Sequence, residues 1–301
     1  MLERILIPVD GSVAAEAIVP YLERLLRRRE SRLTLLRVVP PVPAYPGLDP
    51  ARMVETDRVE SRKYVEELAR RLEREGARVG GRTLEGLEAE MILQAAREEK
   101  ATMIAMTTHG RTGLARWAMG SVAEKVVRAA DVPVLLVRSF HGAVPLPPGG
   151  IPVRRILLPV DGSDLAAAAL PPVMEFAALL DAEVAVLHVQ PEFTPLVFAH
   201  PGASVVAPPS PSPEAVTAPI VEKLRSAGLR ARAVGARGDA PSHILDAVQS
   251  ERADMIALSS HGRSGLSRWM LGSVAEKVLR ASTVPMLIVR GSAAGKAVAA
   301  A

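Results

Sequence analysis

Two short stretches of this chain combine residue types that could seat an anion. One is His109-Gly110-Arg111-Thr112-Gly113-Leu114, followed by Arg116-Trp117 and Gly120-Ser121-Val122; the other is His261-Gly262-Arg263-Ser264-Gly265-Leu266, followed by Arg268-Trp269 and Gly272-Ser273-Val274. Glycines let backbone N–H groups converge on one point without obstruction by a Cβ. A helix opening at Ser121 or Ser273 would add its unpaired N–H groups and the positive end of its dipole. Together these make a phosphate cradle, to which Arg111 and Arg116 could add charge-assisted contacts. A reading without any ligand is equally open. Ser121-x-x-Glu124 and Ser273-x-x-Glu276 fit capping boxes, and the glycines fit turns. His109 and His261 could act as acid or base in such a loop. No Ser-His-Asp spacing, acidic pair or metal-ligand cluster accompanies them, so loop histidines held by hydrogen bonds are the simpler expectation.

A second recurring element is Pro8-Val9-Asp10-Gly11-Ser12, which returns as Pro159-Val160-Asp161-Gly162-Ser163. Asp-Gly is a common turn pair. A carboxylate at the C-terminal end of a parallel strand also faces the crevice where open α/β sheets take their ligands. If the first strand neighbours the fourth, Asp10 and the loop after Thr107 line one cleft.

Positioning these groups requires a whole domain, twice. From His109 to Pro133 against His261 to Pro285, 18 of 25 residues are identical, and the strand-like run before Asp10 recurs too, so the repeat is a domain duplication. Apolar runs predict strands at Arg4–Val9, Leu33–Val38, Arg78–Thr83, Met103–Thr107 and Val134–Val137 in the first half. The second half repeats them at Ile156–Val160, Glu183–Val189, Arg230–Ala236, Met255–Ser259 and Met286–Val289. Amphipathic stretches at Ala14–Arg28, Ala51–Glu75, Glu88–Glu98 and Ser121–Ala130 alternate with the strands of the first half. Pro20 and Pro171-Pro172 are expected inside the first helix of each half, kinking or interrupting it. Alternating strands and helices imply an α/β fold, a parallel sheet covered on both faces. Domains are expected at residues 1–139 and 154–291, joined by a Pro/Gly-rich linker (140–153) and followed by a frayed tail (292–301).

Composition narrows the function classes. Aromatics make up only 3% of the 301 residues, so the cores rest on Val, Leu, Ile, Ala and Met. The formal charge of +4 is small, and the Arg/Glu alternation from Arg58 to Arg71 reads as a solvated helix face. Clustered basic charge interleaved with aromatics is missing, which argues against a nucleic-acid partner. Zero cysteines exclude disulfides, thiol catalysis and cysteine zinc sites. With no signal-peptide pattern and no apolar run long enough to span a bilayer, a cytoplasmic protein without a membrane partner is expected.

The V-D-G-S strand end and the H-G-R-x-G-L…G-S-V-A-E-K-V segment together resemble the universal stress protein family, once per half, over essentially the whole chain. The resemblance implies two tandem, doubly wound, Rossmann-like five-stranded sheets of order 3-2-1-4-5. It also implies ATP binding through a G-x2-G-x9-G-[ST] motif. Gly110, Gly120 and Ser121 match it in the first half, and Gly262, Gly272 and Ser273 in the second; Thr107 and Ser259 stand where the family has its first glycine. By the same resemblance, Asp10 and Asp161 sit at the nucleoside end beside Pro8-Val9 and Pro159-Val160, with the backbones of Val38 and Val189 facing the adenine. Thr107, His109, Gly110, Arg111, Gly113, Gly120, Ser121 and Val122 would follow the phosphates in one half. Ser259, His261, Gly262, Arg263, Gly265, Gly272, Ser273 and Val274 would do so in the other. A magnesium or manganese ion would bridge the phosphates and would not occupy a cage of protein ligands.

The resemblance further implies pairing through the fifth strands. Val132–Val137 and Val284–Val289 are expected to join as a pseudo-twofold intramolecular dimer; the alternative is that each merely completes its own sheet. Further homo-oligomerisation stays open. Three functions are in play. The first is a non-catalytic, ATP-binding stress-response switch. The second is a nucleotide-free scaffold, favoured by Thr107 and Ser259 in place of glycine. The third is a slow ATPase using His109 or His261.

Overall fold

A computed structural model of the protein describes residues 2–26, 31–42, 49–74, 76–108, 119–138, 152–163, 169–192, 211–260 and 271–290. Most of the expected linker and all of the expected tail lie outside these residues.

The first half runs β1 (Arg4–Pro8), α1 (Val13–Glu16), α2 (Val19–Leu26), β2 (Arg32–Val39), α3 (Pro50–Arg74), β3 (Arg78–Glu85), α4 (Glu88–Glu98), β4 (Met103–Thr107), α5 (Ser121–Ala129) and β5 (Val134–Val137). The second runs β6 (Arg155–Pro159), α6 (Leu170–Leu180), β7 (Glu183–Gln190), α7 (Pro213–Ser226), β8 (Ala231–Arg237), α8 (Ala240–Ser250), β9 (Met255–Ser259), α9 (Ser273–Ala281) and β10 (Met286–Val289). Each half has the expected parallel order 3-2-1-4-5.

The first helix is interrupted beside Pro20, as expected: α1 ends at Glu16, α2 begins at Val19, and Pro20 stands in the first turn of α2. Among the described residues Pro171 and Pro172 stand in the first turn of α6. A ring that fixes φ and lacks an N–H suits a helix start, where that donor has no intrahelical partner.

The halves join edge to edge. β5 and β10 pair antiparallel, with Leu136 opposite Met286, Leu135 opposite Leu287 and Val134 opposite Ile288, giving one ten-stranded sheet. Side chains alternate across that junction. Leu135 and Leu287 enter a core under α2, α3, α6 and α7, whereas Val134, Leu136, Met286 and Ile288 enter one under α4, α5, α8 and α9. Both cores therefore pass from one half into the other. Arg290 donates to Asp131 at 2.9 Å across the seam, and Arg138 donates to the Arg280 carbonyl. The Leu2 N–H reaches Glu175 on α6 at 3.1 Å.

Candidate nucleotide cleft

Strand register opens a crevice at the same place in each half. β1 bridges β4 only at Ile5–Met103 and Leu6–Ile104, although β1 continues beside β2 to Pro8–Leu36. In the second half β6 bridges β9 only at Ile156–Met255 and Leu157–Ile256. Beyond those pairs the strands diverge at the point where the chain order reverses, the position at which open sheets receive ligands. The elements carrying Asp10 and the loop after Thr107 thus flank one opening.

On one side of it β1 ends in a tight turn. Asp10 Oδ1 accepts the Ser12 N–H at 2.9 Å and the Ser12 hydroxyl at 2.5 Å, and Gly11 takes φ +79°, where a Cβ would be strained. Ser12 then caps α1 by accepting the Ala15 N–H at 3.1 Å. The copy is faithful: Asp161 Oδ1 accepts from Ser163 N at 3.0 Å and Oγ at 2.6 Å, with Gly162 at φ +81°. Both aspartates thereby hold their own turns. Val9 donates to the Leu36 carbonyl at 2.8 Å, and β2 then runs on through Val38, which pairs with Leu84 on its far side. The Val38 side chain is buried in the core, as is that of Val189, so any role at the crevice falls to their backbones.

On the other side the glycine-rich loop has both ends clamped. Thr108 donates to the Val137 carbonyl at 2.9 Å, and Gly120 donates back to the Thr108 carbonyl at 2.8 Å. Ser260 and Gly272 repeat this at 2.8 Å each. Thr107 is buried at the end of β4, and Ser259 is half-buried. His109, Gly110, Arg111 and Gly113, with His261, Gly262, Arg263 and Gly265, lie outside the described residues.

The helix that follows corrects one expectation. Ser121 and Ser273 do not form capping boxes. The N-caps are Gly120 (φ −62°, ψ 144°) and Gly272 (φ −59°, ψ 146°), so each serine is the first helical residue, and neither helix has a side-chain cap. Glu124 and Glu276 are turned instead to Arg128 and Arg280, one turn on. The first intrahelical bond runs from Glu124 N–H to the Gly120 carbonyl at 3.0 Å, and among the described residues no backbone carbonyl accepts from the N–H groups of Ser121, Val122 and Ala123. Ser121, Ser273 and Val274 are exposed.

This end of the helix fits a phosphate. The backbone angles at Gly120 and Gly272 suit any residue, and Ser, Asp or Asn there would cap the helix better. Glycine in both copies is therefore not required by an unusual conformation. Among the described residues no group of three or more His, Asp or Glu could hold a metal ion.

Several residues around the crevice escaped the sequence reading. Arg37, 6% exposed, points from β2 to Ser61 and Asp57 of α3, and Tyr64 and Arg71 of α3 both reach Glu16 of α1. Burial first, then the Glu16 carboxylate, pushes the Tyr64 phenol above its ordinary range, and the charge of Asp10 adds to the effect. The one available signal was a charge inside an apolar strand, Leu36-Arg37-Val38, matched by Leu187-His188-Val189.

Comparisons with known proteins agree with this architecture. The pattern of the universal stress protein family matches residues 1–138 and again 152–290. A universal stress protein of Mycolicibacterium smegmatis is 24% identical over 304 residues, covering 95% of this chain and 96% of the relative. Universal stress protein YxiE of Bacillus subtilis is 31% identical over 148 residues, 46% of this chain and 99% of its own length. Among solved structures, a universal stress protein from Archaeoglobus fulgidus superposes with a TM-score of 0.71 at 20% identity, covering 97% of this chain and 98% of that one. The chain belongs to the universal stress protein family, as a member with two copies of the family's domain.

Proposed function

We propose that this protein is a non-catalytic, adenine-nucleotide-binding switch of the cytoplasmic stress response, with one cleft in each half. The observation that carries the reading is the uncapped glycine start of α5 and α9, placed beside the crevice in both copies. The triphosphate would lie along the N–H groups from Ser121 to Ala123, with Gly110, Arg111 and Gly113 of the preceding loop, and the nucleoside against Pro8, Val9, Asp10 and the Val38 backbone. Gly262, Arg263, Gly265, Gly272, Ser273, Pro159, Val160, Asp161 and Val189 would serve the second cleft. Bound ATP supplies negative charge that neutralises the helix end, and magnesium or manganese would bridge its phosphates. Nucleotide seated across the crevice would tie the Asp10 turn to the loop after Thr108, and partners would read that change in order.

A non-catalytic role is supported by the aspartates. Asp10 and Asp161 each hold a serine of their own turn through Oδ1, an arrangement that builds a turn and not a proton relay. A scaffold that binds no nucleotide is the second reading, favoured by Thr107 and Ser259, whose side chains add bulk at the family's first glycine position. Calorimetric titration with Mg-ATP separates the two. Saturable binding that is lost in the Gly120→Val, Gly272→Val double variant is expected, and no binding at millimolar nucleotide would leave the scaffold.

A further inference from the structure

Behind the first crevice lies a polar network that the second crevice does not share. The Tyr64 hydroxyl donates to Glu16 Oε1 at 3.0 Å, and Arg71 pairs with Glu16 Oε2. Beside it, Arg37 Nε donates to Ser61 Oγ at 3.2 Å, and its Nη2 lies 3.8 Å from Asp57 Oδ1. Counted in sequence from the Asp-Gly-Ser of each half, Glu16 corresponds to Ala167, which lies outside the described residues, and Arg37 to His188. The strand registers agree, since Pro8 faces Leu36 as Pro159 faces Leu187. Superposing the left-handed glycines after α3 and α7, Gly76 and Gly228, sets Ser61 on Pro213, Tyr64 on Val216 and Arg71 on Lys223. Of the five positions so matched, only Arg71 meets a side chain of like kind. His188, 2% exposed, turns to its neighbouring strand, with Nδ1 2.7 Å from the Val160 carbonyl. A carbonyl only accepts, so Nδ1 carries the proton there.

The network matters because, among the described residues, α1 rests chiefly on β4 and on this tie to α3. It is four residues long, Ala15 is its single buried side chain, and Val13 is 70% exposed. A helix of that length does not stand by its own hydrogen bonds. Glu16 ties its last residue to α3, and Ser12 at its first end is bonded to Asp10. The tie is therefore one helical turn from the Asp10 carboxylate.

We infer that the two crevices bind nucleotide with unequal affinity, the first being the tighter, and that Tyr64 is the positioning residue responsible, acting through Glu16 and α1 on the Asp10 turn. The inference rests on the nucleotide reading above. Both Asp turns keep their own hydrogen bonds, so the difference lies in α1: holding it on α3 before the ligand arrives removes a cost that the second half, with Ala167 in place of Glu16, would meet on binding. A hydrogen bond to a charged group is of the size that shifts affinity by about tenfold.

Calorimetry with Mg-ATP on the full chain tests this, with Gly272→Val and Gly120→Val used singly to silence one crevice at a time. The first crevice alone should bind about tenfold more tightly than the second alone. Tyr64→Phe, which keeps the ring and removes the hydroxyl, should weaken the first crevice part of the way to the second, since Arg71 still pairs with Glu16, and leave the second unchanged. Glu16→Ala should bring the first crevice to the level of the second, and the two changes together should do no more than Glu16→Ala alone, as a tie through Glu16 requires. Equal affinities in the two silenced variants would overturn the inference while sustaining the nucleotide reading. So would a Tyr64→Phe protein that melts earlier without ligand yet binds unchanged, because the hydroxyl would then be structural only. Absence of any binding to the unaltered chain would remove both.

Discussion

Replacing Gly120 by Asp should stabilise the protein without nucleotide and destabilise it, relative to the unaltered chain, with nucleotide. The backbone at Gly120 (φ −62°, ψ 144°) accepts an L-residue, and a carboxylate there can accept the open N–H of Val122 or Ala123. Aspartate over glycine at an N-cap is worth a few tenths of a kcal/mol, and its charge against the helix dipole adds about 0.3–1 kcal/mol. The sum, about 0.5–1 kcal/mol, raises the melting temperature by about 1–3 °C in a chain of this size. The same carboxylate occupies the place assigned to phosphate oxygens. Two like charges about 4 Å apart near a protein surface repel by about 4 kcal/mol, enough to abolish useful binding in that cleft. The unaltered chain at a free nucleotide concentration of about 100 Kd gains about 2.7 kcal/mol per site. The order of melting temperatures therefore inverts on adding Mg-ATP, which thermal denaturation followed by fluorescence or calorimetry reads directly. An Asp variant that keeps the full nucleotide-induced rise would show that the phosphate seat lies elsewhere. One that melts earlier without ligand would show that the glycine serves the backbone after all.

Other outcomes follow from packing and titration. In Gly81→Ala the new Cβ would lie 2.5 Å from Val65 Cγ1, closer than any real contact, so α3 must shift off β3 at a cost of about 1–3 kcal/mol by chemical denaturation. Shrinking the neighbour in Val65→Ala should relieve that cost, so the double variant is more stable than the sum of the two singles predicts. Leu287→Ala should cost about 2–5 kcal/mol and still give a single calorimetric transition, because its side chain sits in a core common to both halves. Two separated transitions would show that the halves melt independently. Tyr64 has a folded pKa above its unfolded value, so its contribution is intact below about pH 10 and declines as the pH rises further. The alkaline loss of stability between about pH 10 and 12 should accordingly be shallower in Tyr64→Phe.

The strands were legible because each is a short, uninterrupted apolar run, and the turn chemistry of Asp10-Gly11-Ser12 announced where the first one stops. Sequence gave no means of choosing between Gly120 and Ser121 as the start of α5. A serine followed three residues later by glutamate is the usual sign of a cap, and only the backbone angles show that the glycine holds that place. Pro20 does mark a break, since α1 ends at Glu16 and α2 starts at Val19, whereas Pro171 and Pro172 stand in the first turn of α6; periodicity alone does not separate the two cases. Arg71 and Tyr64 were hidden for another reason. On a helix rich in Arg and Glu they look like part of a wetted surface, and the partner that gives them a role, Glu16, is 48 residues from Tyr64 in the chain. Such contacts belong to the packing of distant elements and leave no local pattern.

Fusing the two fifth strands into one polypeptide also changes the statistics of their encounter. Tethered edges meet at an effective concentration on the order of millimolar, far above that of a typical cellular protein. Dilution cannot part them, and neither strand is available to a stranger: each copy is married for life to a sister with a different interior. Any difference between the two halves is thus inherited by every molecule in fixed one-to-one proportion, whatever else the cell expresses.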